Sequence, residues 1–272
     1  MGSVPPVTVA SGFFFPEAPR WRGGQLWFSD VFGGLVYSWD SETGDLAQQA
    51  SIPGRPSGLG WTPDGDLLVV STIDRTLRRA DGTVVADLNP VSDSKINDMV
   101  VDDDGTAYIG NDGFDLEARA PERPAQILRV GPDGEVSVAA DGLRFANGMV
   151  ITPERRLIVA ETWGRRLSSF AVSHDGSLGD QRVFAELDAG SPDGICLAPD
   201  GRVWVADPMG RRVLLVAEGG AIGHVVDFPG CRPTACVLDD TGTRLFVCTA
   251  PSIDPAKVQA RPGGEIVVVD LG

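Results

Sequence analysis

The chain has 272 residues, 42 % of them hydrophobic, which is enough for one large domain with a sizeable core. Its formal net charge of −15 disfavours binding to nucleic acid or to anionic membranes. No apolar run reaches the roughly 18 residues of a membrane span, and residues 1–15 lack the basic start and long apolar stretch of a secretion signal. We therefore expect a cytoplasmic protein, a monomer or weak homo-oligomer.

A polar turn followed by an apolar, strand-like run recurs along the chain about every 40 to 50 residues. The copies are RGGQLWFSD (22–30), TPDGDLLVVS (62–71), DDDGTAYIGN (102–111), TPERRLIVAE (152–161), APDGRVWVAD (198–207) and DDTGTRLFVC (239–248). A short apolar run precedes each copy, and further strand-like stretches with Gly-containing hairpin signals follow it. No segment has a convincing helical pattern. Six such units predict an all-β fold, a single six-bladed β-propeller of four-stranded blades over residues 1–272.

Polar residues occupy the start of every predicted innermost strand, at the fifth position before each turn unit. They are Glu17, Ser57, Asn97, Asn147, Asp193 and Thr234. The ends of the second strands predict a second ring at the same mouth of the central channel. It contains Asp30, Ser71, Asn111, Glu161, Asp207 and either Cys248 or Thr249. Two rings of oxygen-bearing side chains suit a hard divalent cation, although Asp and Asn also cap backbone groups at strand starts.

The stretch SPDGICLAPDG (191–201) contains Pro-Asp-Gly twice, and the repeat gives the two aspartates different places. Asp200 belongs to the recurring turn at one mouth of the channel. Asp193 opens the innermost strand at the opposite mouth, because the strand between them spans roughly 15–20 Å. The two carboxyl groups are therefore predicted to serve different purposes.

Four cysteines are present, three of them in the strand-like runs GICLA, ACVL and LFVCTA. The absence of a CxxC pair and of nearby histidines argues against a zinc cluster. We expect reduced, buried thiols, with a Cys231–Cys236 bridge as the alternative.

Four motifs are similar, in order and spacing, to those of the senescence-marker-protein/gluconolactonase family, which includes regucalcin and luciferin-regenerating-enzyme-like proteins. They are PEAPRW, KINDMVVDDDG, FANGMVI and SPDGICLAPDGRVWVAD. The resemblance covers nearly the whole chain and implies a six-bladed propeller with one divalent metal ion at the channel mouth. It implies Glu17, Asn147 and Asp193 as metal ligands, with Asn97 contacting substrate or a metal-bound water and Asp98 beside it.

Two departures from the family pattern concern the substrate. Lys95 stands where sugar-lactone members often carry an arginine, so the bidentate grip on vicinal hydroxyls is lost. The acidic residue that those members use in the blade 3 loop has three counterparts in NDGFDLEARAPER (111–123), namely Asp112, Asp115 and Glu117.

The resemblance implies a lactonase that opens a cyclic ester, a sugar-type aldono-lactone or a related small lactone. Asp193 is then the expected base, unless a water oriented by Asn97 and Asp98 takes that part. Lys95, Asn97, Asp98 and Asp112 are the expected substrate contacts. Ca²⁺ is the expected metal, with Zn²⁺, Mn²⁺, Mg²⁺ and Fe²⁺ as alternatives.

Two other functions remain open from the sequence. One is a non-catalytic propeller that binds a metal or a partner. The other is a propeller hydrolase acting on a non-sugar ester, which aromatic residues near the mouth keep open, although they also suit core or rim packing. These are Phe13, Phe14, Phe15, Phe114 and Trp163. His174 lies in a hairpin and His224 in the strand-like stretch GHVVDF, so they do not predict a Ser-His site, and GxSxG and P-loop motifs are absent.

Overall fold

The computed structural model describes residues 6–272, which form six four-stranded antiparallel sheets arranged as the blades of a propeller. Blade 1 contains β2 (Pro16–Arg22), β3 (Gln25–Asp30), β4 (Leu35–Asp40) and β5 (Leu46–Ser51). Blade 2 contains β6 (Pro56–Trp61), β7 (Leu67–Ser71), β8 (Thr76–Arg79) and β9 (Val84–Asp87). Blade 3 contains β10 (Ile96–Val101), β11 (Ala107–Asn111), β12 (Ala125–Val130) and β13 (Val136–Leu143). Blade 4 contains β14 (Ala146–Ile151), β15 (Arg156–Glu161), β16 (Arg166–Val172) and β17 (Leu178–Glu186). Blade 5 contains β18 (Ile195–Leu197), β19 (Val203–Asp207), β20 (Arg212–Val216) and β21 (Ile222–Asp227). Blade 6 contains β22 (Arg232–Leu238), β23 (Arg244–Ala250), β24 (Gly264–Asp270) and β1 (Val7–Phe13). The predicted propeller is confirmed.

The sixth blade closes the ring by combining both ends of the described chain. Strand β1 pairs antiparallel with β24, in a register that places Val7 opposite Val268 and Phe13 opposite Gly264. The repeat pattern did not predict this arrangement, because it grouped consecutive strands into six units, with one strand before each turn and the others after it. Closure leaves each blade packed between two neighbours.

Apolar side chains cluster between neighbouring blades. Six clusters are present in the described residues, and each combines side chains from two adjacent blades, as Leu68 and Leu77 do with Ile96 and Met99. The core is thus divided around the ring, because the innermost strands face a channel rather than one another.

One short helix was not predicted. Helix α1 (Pro255–Ala260) lies between β23 and β24 and begins at Asp254, whose carboxylate accepts a hydrogen bond from the Ala256 amide. An aspartate cap followed directly by proline is an ordinary helix start. Its length of only 6 residues hides it from periodicity analysis. Within residues 6–272, no helix is long and apolar enough to cross a membrane.

The cysteines of the described chain are all free thiols, so the alternative Cys231–Cys236 bridge is not formed. The sulfur atoms of Cys196 and Cys236 lie 3.9 Å apart on neighbouring inner strands. Burial raises the pKa of the Cys236 and Cys248 thiols, which keeps them protonated and unreactive.

Close backbone approach between blades gives a first test of the fold. A Cβ atom at Gly110 in β11 would lie 2.3 Å from the Ala146 carbonyl oxygen of the next blade, whereas Gly179 on outer strand β17 faces open space. Gly110→Ala should lower the free energy of unfolding by about 1–3 kcal/mol, because backbone cannot yield as a side chain does. Gly179→Ala should leave it unchanged or raise it by up to about 1 kcal/mol. Urea denaturation measures both, and equal effects would contradict this blade packing.

Candidate metal centre and substrate cavity

The inner strands place their first polar side chains together at one mouth of the channel. In five blades the strand register shifts at or directly after this residue, between the pairs Glu17/Arg20, Pro56/Leu59, Ile96/Met99, Ala146/Met149 and Pro233/Ala235. A bulge of this kind re-aims one side chain while the ladder continues on either side. In blade 5 the segment before β18 serves instead, with the Asp193 amide donating to the Ala206 carbonyl at 3.0 Å.

A cavity of about 230 Å³ lies at this mouth. Its floor contains five of the six predicted ring residues, Glu17, Ser57, Asn97, Asn147 and Asp193. The sixth, Thr234, is buried below, where its hydroxyl donates to the Pro16 carbonyl oxygen at 2.9 Å.

A larger hollow of about 1060 Å³ opens at the other mouth, but turn residues such as Asp200 and Gly201 line it and no ring residue does. Turns carry few converging functional groups, so the smaller cavity is the better candidate site.

Two of the ring residues carry carboxyl groups, and burial raises the pKa of both. Glu17 is 8 % exposed, and burial raises its pKa to about 8, helped by the negative charge of Asp98 and opposed by the Ala18 amide. Burial also raises the pKa of Asp193 well above its usual value, and the nearby carboxylates of Glu17 and Asp98 raise it further. Neither carboxyl group forms an ion pair within residues 6–272. Two neighbouring buried acids of this kind favour a bound cation.

The Asn147 amide is held in an orientation that suits a ligand. Its Nδ2 donates to the Thr162 hydroxyl at 3.2 Å, and that hydroxyl donates to the Pro192 carbonyl oxygen at 2.8 Å. A side-chain hydrogen bond from Asn147 also lowers the pKa of Asp193. With Nδ2 engaged as a donor, Oδ1 is the oxygen of this amide that can act as a ligand.

The donor set is short of carboxylates. Among residues 6–272, no group of three or more His, Cys, Asp or Glu side chains is placed to hold a metal. The predicted ligand set nevertheless fits a hard cation, because two carboxylates and one amide oxygen are donors that such cations accept alongside water.

The predicted second ring is wrong. None of its members lines the cavity. The acidic ones instead accept hydrogen bonds from the segment that leads into a ring residue of the same blade. Asp30 accepts from the Phe15 amide at 2.8 Å, Glu161 from the Arg144 amide at 2.8 Å and Asp207 from the Ser191 amide at 3.1 Å. Such buried acids occur in blades 1, 4 and 5, the blades that carry Glu17, Asn147 and Asp193.

The carboxylate of Asp98 does not line the cavity either. It accepts from the Met99 amide and from Arg20, each at 2.8 Å. Arg20 reaches it across the blade 2 inner strand, donating on the way to the Leu59 carbonyl oxygen at 3.1 Å. The bulge after Asn97 turns the next side chain away from the mouth, so the position of Asp98 does not favour the substrate contact expected of it.

The remaining predicted contacts do line the cavity. The Ser57 hydroxyl donates to Asn97 Oδ1 at 3.1 Å, which leaves the amide N–H groups of Asn97 free. Lys95 Nζ pairs with Glu117 at 2.9 Å and with Asp115 at 3.6 Å. Burial raises the pKa of Asp112 to about 7, although the charge of Lys95 opposes the shift.

Of the three acidic residues in the blade 3 loop, Asp112 and Glu117 line the cavity and Asp115 does not. Burial raises the pKa of Glu117, but its bonds to Lys95 and Arg55 outweigh burial and lower it overall. Arg55 was not predicted from the sequence as a site residue, and its guanidinium also lies over the Phe32 ring at 4.7 Å. A lysine and an arginine about 40 residues apart in equivalent loops were a signal that the repeat spacing contained.

Replacing a buried loop-holding acid should destabilise the fold. Glu161 is fully buried and paired with Arg166 at 2.7 Å. Glu161→Gln should lower the free energy of unfolding by about 2 kcal/mol, because it leaves the partly buried guanidinium without its counter-charge. The matched control is Asp180→Asn, which breaks exposed pairs with Arg156 and Arg182 and should leave the free energy of unfolding nearly unchanged. Similar losses in urea denaturation would contradict the buried role.

The raised pKa of Asp112 predicts a pH dependence of stability in chelated protein. Between about pH 4 and 7 the folded state retains a proton on Asp112 that the unfolded state has lost. Stability should therefore fall as pH rises through this window, by up to about 4 kcal/mol from this group. Asp112→Asn should make the curve flatter there, whereas Asp115→Asn, at an exposed carboxyl group, should not. Chemical denaturation across the window measures the slopes, and parallel curves for wild type and Asp112→Asn would contradict the assignment.

Known proteins are similar to this chain over most of its length. The protein-family model described as the SMP-30/gluconolactonase/LRE-like region matches residues 15–251 of this chain. The chain is 23 % identical to a gluconolactonase of Zymomonas mobilis, an alignment that covers 92 % of this chain and 80 % of the relative. It is 26 % identical to regucalcin of Oryctolagus cuniculus, covering 94 % and 91 %.

Three solved structures share the propeller. A luciferin-regenerating enzyme has a TM-score of 0.82 at 17 % identity, covering 99 % of this chain and 95 % of that one. A gluconolactonase of Xanthomonas campestris has 0.77 at 23 % identity, covering 99 % of both. A regucalcin of Agrobacterium tumefaciens, described as calcium-binding, has 0.77 at 19 % identity, covering 99 % and 97 %. With its repeat, its propeller and its ring of oxygen donors, the chain belongs to the SMP-30/gluconolactonase/LRE-like family.

Proposed function

We propose that the protein is a metal-dependent hydrolase that opens a lactone at the cavity formed by five of the six strand starts. One observation carries the proposal. Two buried carboxyl groups, Glu17 and Asp193, meet beside the oriented amide of Asn147 with no ion-pair partner in the described residues. A site that stabilises two negative charges only when a cation is added is suited to metal-assisted hydrolysis.

Glu17, Asn147 and Asp193 would hold the cation. All three supply oxygen, which favours Ca²⁺, with Mg²⁺, Mn²⁺, Zn²⁺ and Fe²⁺ as alternatives. The calcium-binding description of the Agrobacterium structure supports the same choice. When bound, such a cation supplies Lewis-acid polarisation of a carbonyl group and a more acidic water.

The protein residues would orient the ester and move its protons. The free amide N–H groups of Asn97 can donate to the carbonyl oxygen as charge develops on it. Water adds to the carbonyl carbon, the ring C–O bond breaks, and one water proton passes to the leaving alkoxide oxygen. The product hydroxy acid then releases one proton at neutral pH.

Two carboxyl groups are placed to take the proton from water. Asp193 is the choice from sequence, but a ligating carboxylate is a weak base. Asp112 lines the same cavity, makes no ion pair in the described residues and has a pKa of about 7, close to the ideal for a general base. Asp98 is not proposed for this step, since its carboxylate is bonded to Arg20.

The two aspartates of SPDGICLAPDG provide the test. In calcium at one hundred times its dissociation constant, wild-type protein should gain about 2.7 kcal/mol of stability and release acid from lactones in a pH-stat assay. Asp193→Asn should lose both effects. Asp200→Asn should keep both, because its exposed carboxylate only caps the turn at Arg202.

A third variant assigns the base. Asp112→Asn should keep the calcium-dependent rise in melting temperature and lose most of kcat if Asp112 takes the proton. Absence of metal-dependent acid release from any lactone, with calcium binding intact, would contradict the proposed activity and leave a metal-binding propeller.

A further inference from the structure

An apolar rim surrounds the cavity above its polar floor. It consists of Phe32, Leu116, Phe145, Trp163, Met209 and Ile253. These residues come from loops of five blades at the same mouth, in the β3–β4, β11–β12, β13–β14, β15–β16, β19–β20 and β23–β24 connections. Loops that differ in length and sequence therefore present the same kind of apolar surface at this mouth.

The rim is accessible. Leu116, Trp163, Met209 and Ile253 are 44 %, 40 %, 57 % and 42 % exposed. Most other exposed large apolar residues of the described chain are scattered over outer strands, as Val183 on β17 and Ile222 on β21 are. A cluster of exposed apolar side chains that borders a polar pocket marks a binding surface.

The charged groups at the rim are already paired with each other. Arg55 Nη1 and Lys95 Nζ both bind Glu117, at 2.6 and 2.9 Å, and the Arg55 guanidinium lies over Phe32. Both cations share Glu117, so gripping vicinal hydroxyls would compete with these ion pairs. Asn97, with its free amide N–H groups, and Asp112, which makes no ion pair in the described residues, are the polar groups of the cavity best placed to hydrogen-bond a ligand.

The cavity of about 230 Å³ is smaller than the usual ligand pocket of roughly 300–1,000 Å³. A five- or six-membered ring can reach the floor, and a substituent on that ring must then lie against the rim.

From this layout we infer that the substrate is a lactone with an apolar substituent, an alkyl chain or aromatic ring, rather than a polyhydroxylated aldono-lactone. The inference rests on the proposed function. In this arrangement the polar floor binds the ester and the apolar rim binds the substituent.

A homologous series of substrates tests it. With calcium present, kcat/KM should rise by about two- to fourfold per methylene from γ-butyrolactone through γ-hexalactone and γ-octalactone to γ-decalactone, as burial on the rim requires. Glucono-δ-lactone should be poorer than γ-octalactone. Equal rates along the series, or a preference for glucono-δ-lactone, would overturn the inference and leave the lactonase proposal standing.

Trp163→Ala tests the rim itself. It should lower kcat/KM for γ-decalactone by about tenfold and for γ-butyrolactone by much less. The control is Ile222→Ala, which removes another exposed apolar side chain, from outer strand β21, and should change neither value. A uniform loss across the series would show that Trp163 acts on the fold and not on the substituent, which contradicts the inference.

Binding of the corresponding γ-alkyl lactams separates this inference from the proposed activity. Lactams keep the ring and the substituent but resist hydrolysis, so titration calorimetry measures the contribution of the rim to binding affinity in the absence of turnover. Affinity that rises with chain length in wild-type protein and not in Trp163→Ala supports the inference even if no lactone is opened. Affinity that is independent of chain length overturns it, whatever the hydrolysis assay shows.

Discussion

The mouth of the propeller depends on one electrostatic constraint, which is that two neighbouring carboxyl groups are buried with no ion-pair partner among residues 6–272. Burial raises the pKa of Glu17 and of Asp193, and each group makes ionisation of the other less favourable. Two neighbouring charges of the same sign cannot both exist there without compensation. The fold maintains this arrangement by rigid means, with bulged inner strands, an oriented amide at Asn147 and blades packed backbone against backbone.

The surroundings of the site are organised to hold the backbone rather than to touch a ligand. Asp30, Glu161 and Asp207 each accept an amide hydrogen bond from the segment that precedes a floor residue. Below the floor, Arg20 connects blades 1, 2 and 3 through Leu59 and Asp98. Charge that is fully hydrogen-bonded in this way fixes positions and leaves the cavity to the floor residues.

Much of this could be predicted from the sequence, because the propeller repeats its own pattern. The turn spacing predicted six blades, and the register predicted that Glu17, Asn147 and Asp193 share one mouth. Side-chain direction was less accessible, since a bulge changes it without changing the spacing. The bulge after Asn97 directs Asp98 away from the cavity, and the acidic second-ring residues accept hydrogen bonds from backbone amides. The pairing of Lys95 with Glu117, helix α1 and the apolar rim lie in loops, where no repeat constrains the chain.

The bulges at the strand starts have a consequence for how such proteins diversify. Five blades present one side chain to the floor, four of them from a bulged inner strand, so these positions share similar backbone surroundings. In this chain Ser57 holds a short hydroxyl where Glu17 and Asp193 hold acids. A substitution at one of these positions can change the chemistry of the floor without disturbing the backbone at the others. Few substitutions therefore decide which reaction the ring of side chains can support.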